Sequence, residues 1–368
     1  MVLDTCRVNF NSGSVVPFIM SKTILEIDGS LGEGGGQVLR TSLALSLITG
    51  QPFRLRKIRA GRAKPGLAAQ HLMSVKAAAE IGQAKVRGAQ LGSCELQFEP
   101  GTVSAGDYHF KIGTAGATSL VLHTIYLPLA LAGGESTITI EGGTHVKASP
   151  CFDFLARTWA AYMKALDIPI DLHLDRVGFY PRGGGMIRAR IGPAPKIRSF
   201  AGMTTKTITK ATIFYGTAGL PSHVGERLVQ QATSELQTLG LEIETHQENW
   251  QGGPGCMLGI ELPTAPAPTF FFGLGERGKP AEAVAREAVE QVTSFLLLET
   301  FGVDEHSADQ LLLPLALSDG TSQFSVASIS SHLLTNAAVI QRFVYCSIRC
   351  EGKVGEAGVV SIQGERSA

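Results

Sequence analysis

The order helix, strand, helix, two strands recurs three times along the chain, and this recurrence constrains the fold more than any single motif. The first copy starts at Gln37, the second at Thr114 and the third at Ser307. Each copy offers two helices and roughly four short strands. The pattern therefore predicts an α/β (α+β) fold in which three repeated two-helix/four-strand units pack together. Ordinary helix–strand alternation in an α+β chain remains the alternative explanation.

One segment departs from this order. Residues 201–298 are predicted as strand, helix, three strands and helix, and a Gly/Pro cluster precedes them at 192–195. We therefore expect a smaller inserted α/β domain over 201–298, with residues 21–200 and 299–368 forming the three-repeat domain. Residues 1–20 have no signal-peptide pattern and are expected to be a disordered extension, with an upstream start codon as the alternative explanation.

Composition limits the class of protein and little else. Hydrophobic residues make up 44% and charged residues 17%, and 32 basic residues balance 32 acidic ones, so a nucleic-acid partner would need a local basic patch. The six cysteines are scattered without metal-site spacing, which favours a reduced, cytoplasmic protein. The longest apolar run is too short to cross a bilayer, so no membrane partner is expected.

His332 is the first candidate for chemistry, because it stands where a helix is expected to begin. Ser330 or Ser331 can cap that helix, which would place the imidazole among unpaired backbone N–H groups at its positive end. Those groups can hold a phosphate, and a neutral histidine beside a phosphate can act as a nucleophile. A histidine at a helix start can also merely cap or pack, and the local pattern leaves both open.

Two glycine-rich stretches accompany this histidine motif. Residues 32–36 form a turn that enters a helix and could offer N–H groups to an anion, although a plain tight turn explains them equally well. Their spacing fits neither a Walker loop nor a dinucleotide-binding motif. Residues 178–185 lie between two predicted strands and should form a hairpin with unusual backbone angles.

A basic run occupies residues 54–64, where six cations occur without one acidic residue. Arginines clamp phosphate with two donors, so such a run can bind a phosphorylated ligand. A solvated strand edge, on which charges discourage aggregation, is the structural alternative.

Taken together, several motifs resemble the RNA 3′-terminal phosphate cyclases, in the family's order and over residues 24–363. They are EGGGQVLR (33–40), IRAGRAKPGL (58–67), QHL (70–72), GGT (142–144), GFYPRGGG (178–185), ADQLLLP (308–314) and SHLLTN (331–336). The resemblance implies three like α/β units with a smaller domain before the third, in agreement with the repeat. It also implies ATP-dependent conversion of an RNA 3′-phosphate into a 2′,3′-cyclic phosphate, with the three-repeat domain as the catalytic part.

The resemblance also assigns roles to single residues. It makes His332 the nucleophile that ATP adenylates, with Glu33, Arg40, Arg59 and Arg62 in the chemistry and Glu33 as the candidate ligand of Mg²⁺ or Mn²⁺. Gln70 is expected at the RNA phosphate, and the basic run adds Arg54, Arg56 and Lys57 as RNA-attracting residues. The residues expected to contact ATP are His123, Pro150, Phe154, His306, Ser307, Ala308, Asp309 and Gln310.

Three positions depart from the family's pattern. His123 replaces a usual glutamine and His306 a frequent tyrosine, so the preference between ATP and GTP is open. Val177 stands where the glycine-rich signature usually begins with Arg or His. A catalytically silent relative that serves as an RNA-processing scaffold is the alternative function, against which the presence of His332 argues. Enolpyruvyl transferases share the use of repeated α/β units but lack the histidine motif. The physiological RNA, the metal and the oligomeric state are left open.

Overall fold

The computed structural model describes residues 23–205, 207–298 and 301–364. The predicted extension over 1–20 lies outside these residues. Within them, helices and four small mixed sheets form the α/β architecture that the sequence predicts. No helix in the described ranges is long and apolar enough to cross a membrane.

The first unit places two helices on one four-stranded sheet. Its elements are β1 (Leu25–Asp28), α1 (Gln37–Thr49), β2 (Phe53–Arg56), α2 (Ala69–Ile81), β3 (Lys85–Arg87) and β4 (Glu95–Glu99). The sheet order is β1-β2-β4-β3, with β1 parallel to β2 and the other pairs antiparallel. β2 ends at Arg56 because Lys57 and Arg59 both take a positive φ of 54°.

The second unit repeats this topology. Its elements are β5 (Asp107–Lys111), α3 (Thr118–Ala130), β6 (Ser136–Gly142), α4 (Phe152–Phe154), a π-helical turn (Leu155–Trp159), α5 (Ala160–Ala165), β7 (Ile170–Arg176) and β8 (Gly185–Ile191). The order β5-β6-β8-β7 matches the first sheet position by position. Two details differ from the sequence patterns. β5 precedes the start of the second copy at Thr114, and the second helix expected in this copy is divided by the π-helical turn.

The inserted segment has a different topology. Its elements are β9 (Lys210–Ala218), α6 (Ser222–Thr238), β10 (Glu242–Asn249), β11 (Gly255–Leu262), β12 (Thr269–Leu274) and α7 (Ala281–Leu296), in the sheet order β10-β9-β11-β12. These elements all fall within 201–298, and most of their buried apolar residues form a cluster of their own. Phe214, Met257 and Phe270 instead pack in the main core. The domain limits themselves stay a prediction.

The third unit follows the insert. Its elements are α8 (Glu305–Ala316), β13 (Gly320–Val326), α9 (Ser331–Phe343), β14 (Cys346–Glu351) and β15 (Gly358–Gly364), in the order β13-β15-β14. Val303 pairs in parallel with Val326 at the place where the other two units have their first strand. Among the residues that the structure describes, a single bridge thus takes the place of the first strand in this unit.

Helices from all three units form one core. α1 is buried over most of its length and packs against α3 and α9, while α2 packs on α3 and α8 on α9. Strands such as β8 alternate buried and more exposed residues, so the sheets present one face to the helices and the other to solvent. This arrangement brings the amino-terminal ends of α1 and α9 together.

Candidate active site

A cavity of about 640 Å³ opens where the three units and the insert meet. Most of the residues proposed from sequence line it, although they come from distant parts of the chain. They are Glu33, Arg40, Arg59, Arg62, Gln70, His123, Pro150, Phe154, His306, Asp309, Gln310 and His332. The cavity is therefore the place where any chemistry of these residues would occur.

His332 lies in the first turn of α9, which begins as the sequence predicts. Ser330 caps the helix, since its Oγ accepts a hydrogen bond from the Leu333 N–H at 3.1 Å. The imidazole is about half exposed, and its Nε2 lies 3.0 Å from Oε2 of Glu33. The ring thus faces the cavity next to a carboxylate, and one of its nitrogens is oriented by that contact.

Hydrogen bonds between helices fix the backbone that carries His332. Gln37 Nε2 at the start of α1 donates to the His332 carbonyl at 2.5 Å. Thr41 Oγ1 donates to Asn336 Oδ1 at 2.6 Å, and Asn336 Nδ2 donates to the Asp309 carbonyl at 3.0 Å. Buried polar groups need such partners, so Gln37 and Asn336 act mainly as links between α1, α8 and α9.

The glycine-rich turn over 32–36 fits between α9 and the loop that follows β2. Gly32 and Gly34 have positive φ values of 58° and 56°. A Cβ on Gly32 would lie 1.9 Å from Thr335 Oγ1, and one on Gly34 would lie 2.8 Å from the Gly61 nitrogen. These glycines are needed for close approach and backbone angle, whatever else the turn binds.

Three guanidinium groups face the cavity from this side. Arg62 Nη2 lies 3.1 Å from Glu33 Oε2, and Arg59 Nη1 donates to the carbonyls of Lys64 and Gly66 at 3.0 and 2.8 Å. Burial lowers the pKa of Arg40 to about 10, although Asp309 opposes the shift. Burial, and to a smaller extent Arg62, lowers the pKa of Arg59. Cations held this close to one another are stabilised when an anion binds.

His71 belongs to the same group, and its role was missed from sequence. It lies in the first turn of α2, is 5% exposed and lines the cavity. Burial and the charges of Arg40, Arg59 and Arg62 lower its pKa to about 3, so the ring is neutral at physiological pH. Its Nδ1 has no hydrogen-bond partner among the described residues. The QHL motif contained the residue, but only Gln70 had been assigned a role.

The opposite wall carries most of the residues proposed to contact a nucleotide. His123 lies 4.9 Å from Trp159 between ring centroids, and burial followed by Arg40 lowers its pKa to about 3. Burial raises the pKa of the Asp309 carboxyl, although His332 and Arg40 oppose the shift. Buried Phe154 reaches the cavity from the main core, and Pro150 lies beside it on the wall.

Two of the proposed nucleotide contacts do not line the cavity. Ser307 and Ala308 are buried in the first turn of α8. The Ser307 N–H already donates to Oδ1 of Asp304 at 2.9 Å, and Asp304 is the N-cap of this helix. The segment 306–310 therefore presents His306, Asp309 and Gln310 to the cavity, as expected from the helical spacing of these residues.

A polar recess of about 60 Å³ adjoins the main cavity between α1, α3 and α8. Several buried atoms of its lining residues have no hydrogen-bond partner within the described ranges. They are Gln37 Oε1, His123 Nε2, Trp159 Nε1, Asp309 Oδ1 and Gln310 Oε1. Such atoms can hydrogen-bond the polar edge of a ligand.

Arg54, Arg56 and Lys57 are not brought into the cavity. Arg54 and Arg56 pair with Glu26 on β1 and Glu95 on β4 across the exposed face, and Lys57 pairs with Asp28 at 2.8 Å. The explanation of the basic run as an exposed sheet edge is wrong, because β2, which carries Arg54 and Arg56, lies between β1 and β4. That these three residues attract RNA stays a prediction. In the structure their positive charges are already paired with the carboxylates of Glu26, Glu95 and Asp28.

The insert closes one side of the cavity, which sequence motifs did not reveal. Phe272, Leu274 and Glu287 line the cavity, and Glu276 forms an ion pair with Lys147. Val177, one of the departures from the family pattern, is buried and pairs with Gly252 of the insert. The departure at this position therefore lies at the contact with the insert.

The chain resembles known proteins of one family over most of its length. A family model described as RNA 3′-terminal phosphate cyclase matches residues 31–350. The chain is 43% identical over 332 residues to the RNA 3′-terminal phosphate cyclase of Salmonella typhimurium, covering 89% of this chain and 96% of that protein. It is 40% identical over 351 residues to the one from Methanopyrus kandleri, covering 93% and 99%.

Proposed function

The chain belongs to the RNA 3′-terminal phosphate cyclase family, and on that premise we propose that it uses ATP to convert the 3′-phosphate end of an RNA into a 2′,3′-cyclic phosphate. The reaction passes through AMP bound covalently to His332 and then through an RNA-adenylate. One observation carries this proposal. His332 stands at the capped start of a helix, 3.0 Å from Glu33, in a cavity that also holds Arg40, Arg59 and Arg62.

The first step forms a bond between nitrogen and phosphorus. A neutral His332 nitrogen attacks the α-phosphorus of ATP, and pyrophosphate leaves. Arg59 and Arg62 neutralise charge on the phosphate oxygens, and the contact with Glu33 orients the ring. Fixing the His332 carbonyl through Gln37 keeps the nucleophile in one position during this step.

The next two steps transfer the activation to RNA and close the ring. An oxygen of the RNA 3′-phosphate attacks the same phosphorus, the P–N bond breaks and AMP becomes attached to the RNA end. The neighbouring 2′-hydroxyl then attacks the 3′-phosphorus, AMP leaves and the hydroxyl proton is released. The nucleophile is tethered beside its target, so this closure needs little further assistance.

A divalent metal fits the carboxylate chemistry of the site. Glu33 would be its protein ligand, in keeping with the few carboxylates by which proteins hold Mg²⁺ near phosphates. When bound, Mg²⁺ or Mn²⁺ would neutralise charge on the reacting phosphate. Arg62, which pairs with Glu33 at 3.1 Å, adds a second cationic group to the same side of the cavity.

The nucleoside of ATP is proposed to bind between Pro150, Phe154 and the first turn of α8. The recess beside His123 offers polar atoms that have no other described partner and can hydrogen-bond a base edge. His123 and His306 differ from the residues usual in the family, so they are the positions at which we expect the ATP/GTP ratio to change on substitution.

Covalent labelling tests the nucleophile. The purified protein should retain AMP from ATP that carries radioactive phosphorus at the α position. The bond should be labile in acid and stable in alkali, as a histidine phosphoramidate is. His332→Asn should abolish the label with an unchanged urea unfolding midpoint, because its role is chemical. Cyclisation of a 3′-phosphorylated oligonucleotide should be lost in the same variant.

The insert offers a matched control. His223 is exposed and is also the second residue of its helix, α6, so His223→Asn should keep full labelling. Undiminished labelling in His332→Asn would overturn the assignment of the nucleophile. An unlabelled wild-type protein that also fails to cyclise RNA would favour a catalytically silent scaffold.

A further inference from the structure

The 178–185 hairpin between β7 and β8 combines a tightly packed base with an exposed tip. Gly183 and Gly184 have φ values of 65° and 73°, and the Gly183 N–H donates to the Phe179 carbonyl at 2.7 Å. A Cβ on Gly178 would lie 2.3 Å from the Gly185 nitrogen. The backbone is therefore fixed from within, and residues 180–182, the hairpin tip, are held in a defined position.

The hairpin borders the candidate active site from two directions. Phe179 forms a bridge with His145, whose successors Val146 and Lys147 line the cavity. On the other side, a Cβ on Gly183 would lie 2.8 Å from the Ala115 Cα. The 113–117 loop to which Ala115 belongs is itself bonded to the cavity wall.

That bond connects the hairpin with the phosphate side of the cavity. The Ala117 N–H donates to Oε1 of Gln70 at 3.0 Å, and Gln70 lines the cavity together with Arg59 and Arg62. The hairpin tip therefore lies one loop away from Gln70, the residue expected at the RNA phosphate, and from the arginines proposed to act on the reacting phosphate. A strand whose 3′ end enters there must place its preceding nucleotides on nearby surface.

Two side chains of the hairpin tip, Tyr180 and Arg182, are exposed to solvent and therefore available to a ligand. Tyr180 is 79% exposed, whereas its neighbour Phe179 is buried and stacks on His145 with ring centroids 5.3 Å apart. Arg182 is exposed and has no hydrogen bond or ion pair with any residue in the described ranges. Nearby cations differ in this respect: Lys147 pairs with Glu276, and Arg176 donates to the Gly184 carbonyl.

We propose that the hairpin tip is a subsite for single-stranded RNA upstream of the 3′ end, where Tyr180 stacks on a base and Arg182 contacts a backbone phosphate. This inference rests on the proposed function and names how that function's substrate is held. An aromatic ring beside a cation is the combination by which proteins hold single strands without reading their sequence. The subsite therefore predicts a preference for strand length, with tolerance of the bases themselves.

The test compares 3′-phosphorylated RNA of different lengths. Tyr180→Ala should raise KM for a dodecanucleotide about tenfold and leave KM for a dinucleotide unchanged, since only the longer strand reaches the tip. Tyr180→Phe should behave like the wild type. Arg182→Ala should raise KM for the dodecanucleotide and reduce the slope of log affinity against log salt by about 0.7. Auto-adenylation needs no RNA and should be normal in all three variants.

Tyr345 supplies a matched control. It is 84% exposed and follows the carboxyl end of α9, a helix of 13 residues, so it lies about 20 Å from His332 along the helix axis. Tyr345→Ala should leave KM unchanged for both substrates. Equal KM increases for Tyr180→Ala and Tyr345→Ala would point to a general surface effect and overturn the subsite.

Binding measured without turnover separates this inference from the proposed function. Fluorescence anisotropy of a labelled 3′-phosphorylated dodecanucleotide should show weaker binding by Tyr180→Ala even if the wild type forms no cyclic product. Unchanged binding by Tyr180→Ala and Arg182→Ala in a wild type that cyclises RNA would overturn the subsite alone. A KM increase of the same size for the dinucleotide would also overturn it, because it would mean that the tip acts on the active site.

Discussion

Arg62 and Arg56 carry the same charge in the same basic run, but the structure gives them different surroundings. Arg62 reaches Glu33 at the cavity, whereas Arg56 lies on the outer face of the sheet between Glu26 and Glu95. A guanidinium that clamps phosphate needs its planar pair of donors, which lysine cannot reproduce. A guanidinium in an exposed ion pair can be replaced by another cation at little cost.

We therefore expect Arg62→Lys to reduce cyclisation at least tenfold at both low and high salt, and Arg56→Lys to keep the wild-type rate. The measurement is the initial rate of cyclisation of a 3′-phosphorylated oligonucleotide. A loss in Arg62→Lys that disappears at high salt would mean that Arg62 only attracts RNA, because screening would remove its contribution from both proteins.

Two histidines whose pKa values are lowered on folding make the free energy of unfolding depend on pH. The pKa values of His71 and His123 fall from 6.5 to about 3 on folding, so the unfolded chain takes up protons first when the solution is acidified. Above about pH 6.5 both rings are neutral in the folded and in the unfolded chain, so they do not lower the free energy of unfolding. As the pH falls from there towards 3, the unfolded chain binds protons that the folded protein does not bind, and the free energy of unfolding decreases. Each residue contributes a slope of at most about 1.4 kcal/mol per pH unit in this window.

Urea unfolding between about pH 6 and pH 4 tests this dependence. The free energy of unfolding should fall with pH, and His123→Gln should flatten the curve because glutamine does not titrate. His71→Gln should flatten it as well. Identical slopes in the wild type and both variants would show that the two rings do not govern acid stability.

At the level of elements, the start of α9 is the part whose stability bears most directly on the site. Ser330→Ala removes the hydrogen bond to the Leu333 N–H and should lower the free energy of unfolding by about 1 kcal/mol. Ser331→Ala is the control. Ser331 accepts a hydrogen bond from Thr335 Oγ1 through its backbone carbonyl, and this carbonyl is still present in the variant. Equal urea midpoints for the two variants would contradict the assignment of Ser330 as the cap.

At the level of the whole molecule, Arg157 joins the second unit to the insert. Its Nη2 lies 3.0 Å from Glu248 Oε1, and its guanidinium carbon lies 3.3 Å from the centroid of the Phe214 ring. Asp153 and Glu261 lie within 4 Å of the same guanidinium. Because the insert supplies Phe272, Leu274 and Glu287 to the cavity, this contact should matter for nucleotide binding.

Arg157→Ala should lower the free energy of unfolding by about 2 kcal/mol, since it removes the cation from the part-buried carboxylates of Glu248 and Glu261 and from the Phe214 ring. It should also raise KM for ATP in the labelling reaction. Arg198→Ala is the control, because Arg198 pairs with Asp167 at 2.9 Å on the open surface, where such pairs contribute less than about 1 kcal/mol. An unchanged KM for ATP in Arg157→Ala would show that the insert does not shape the nucleotide site.

The sequence by itself predicted most of the element order and many residues that line the cavity, because both are encoded in local patterns. Apolar periodicity predicted the repeat, and the pair Ser330 and Ser331 predicted the start of α9, although only the structure shows that Ser330 is the cap. The motifs identified His332, Arg59 and Arg62, whose residue types suit phosphate chemistry. The roles of these residues stay predictions until they are measured.

Tertiary structure alone decided which of these residues meet. β5 was not predicted because its five residues alternate over too short a stretch to stand out. The pKa of His71 is lowered first by burial and then by three arginines, and both causes come from the packing of separate elements. Likewise, Arg56 and Arg62 cannot be told apart until β1 and β4 place carboxylates beside one of them. Burial and charge pairing depend on contacts between elements far apart in the chain, and a local pattern carries no record of those contacts.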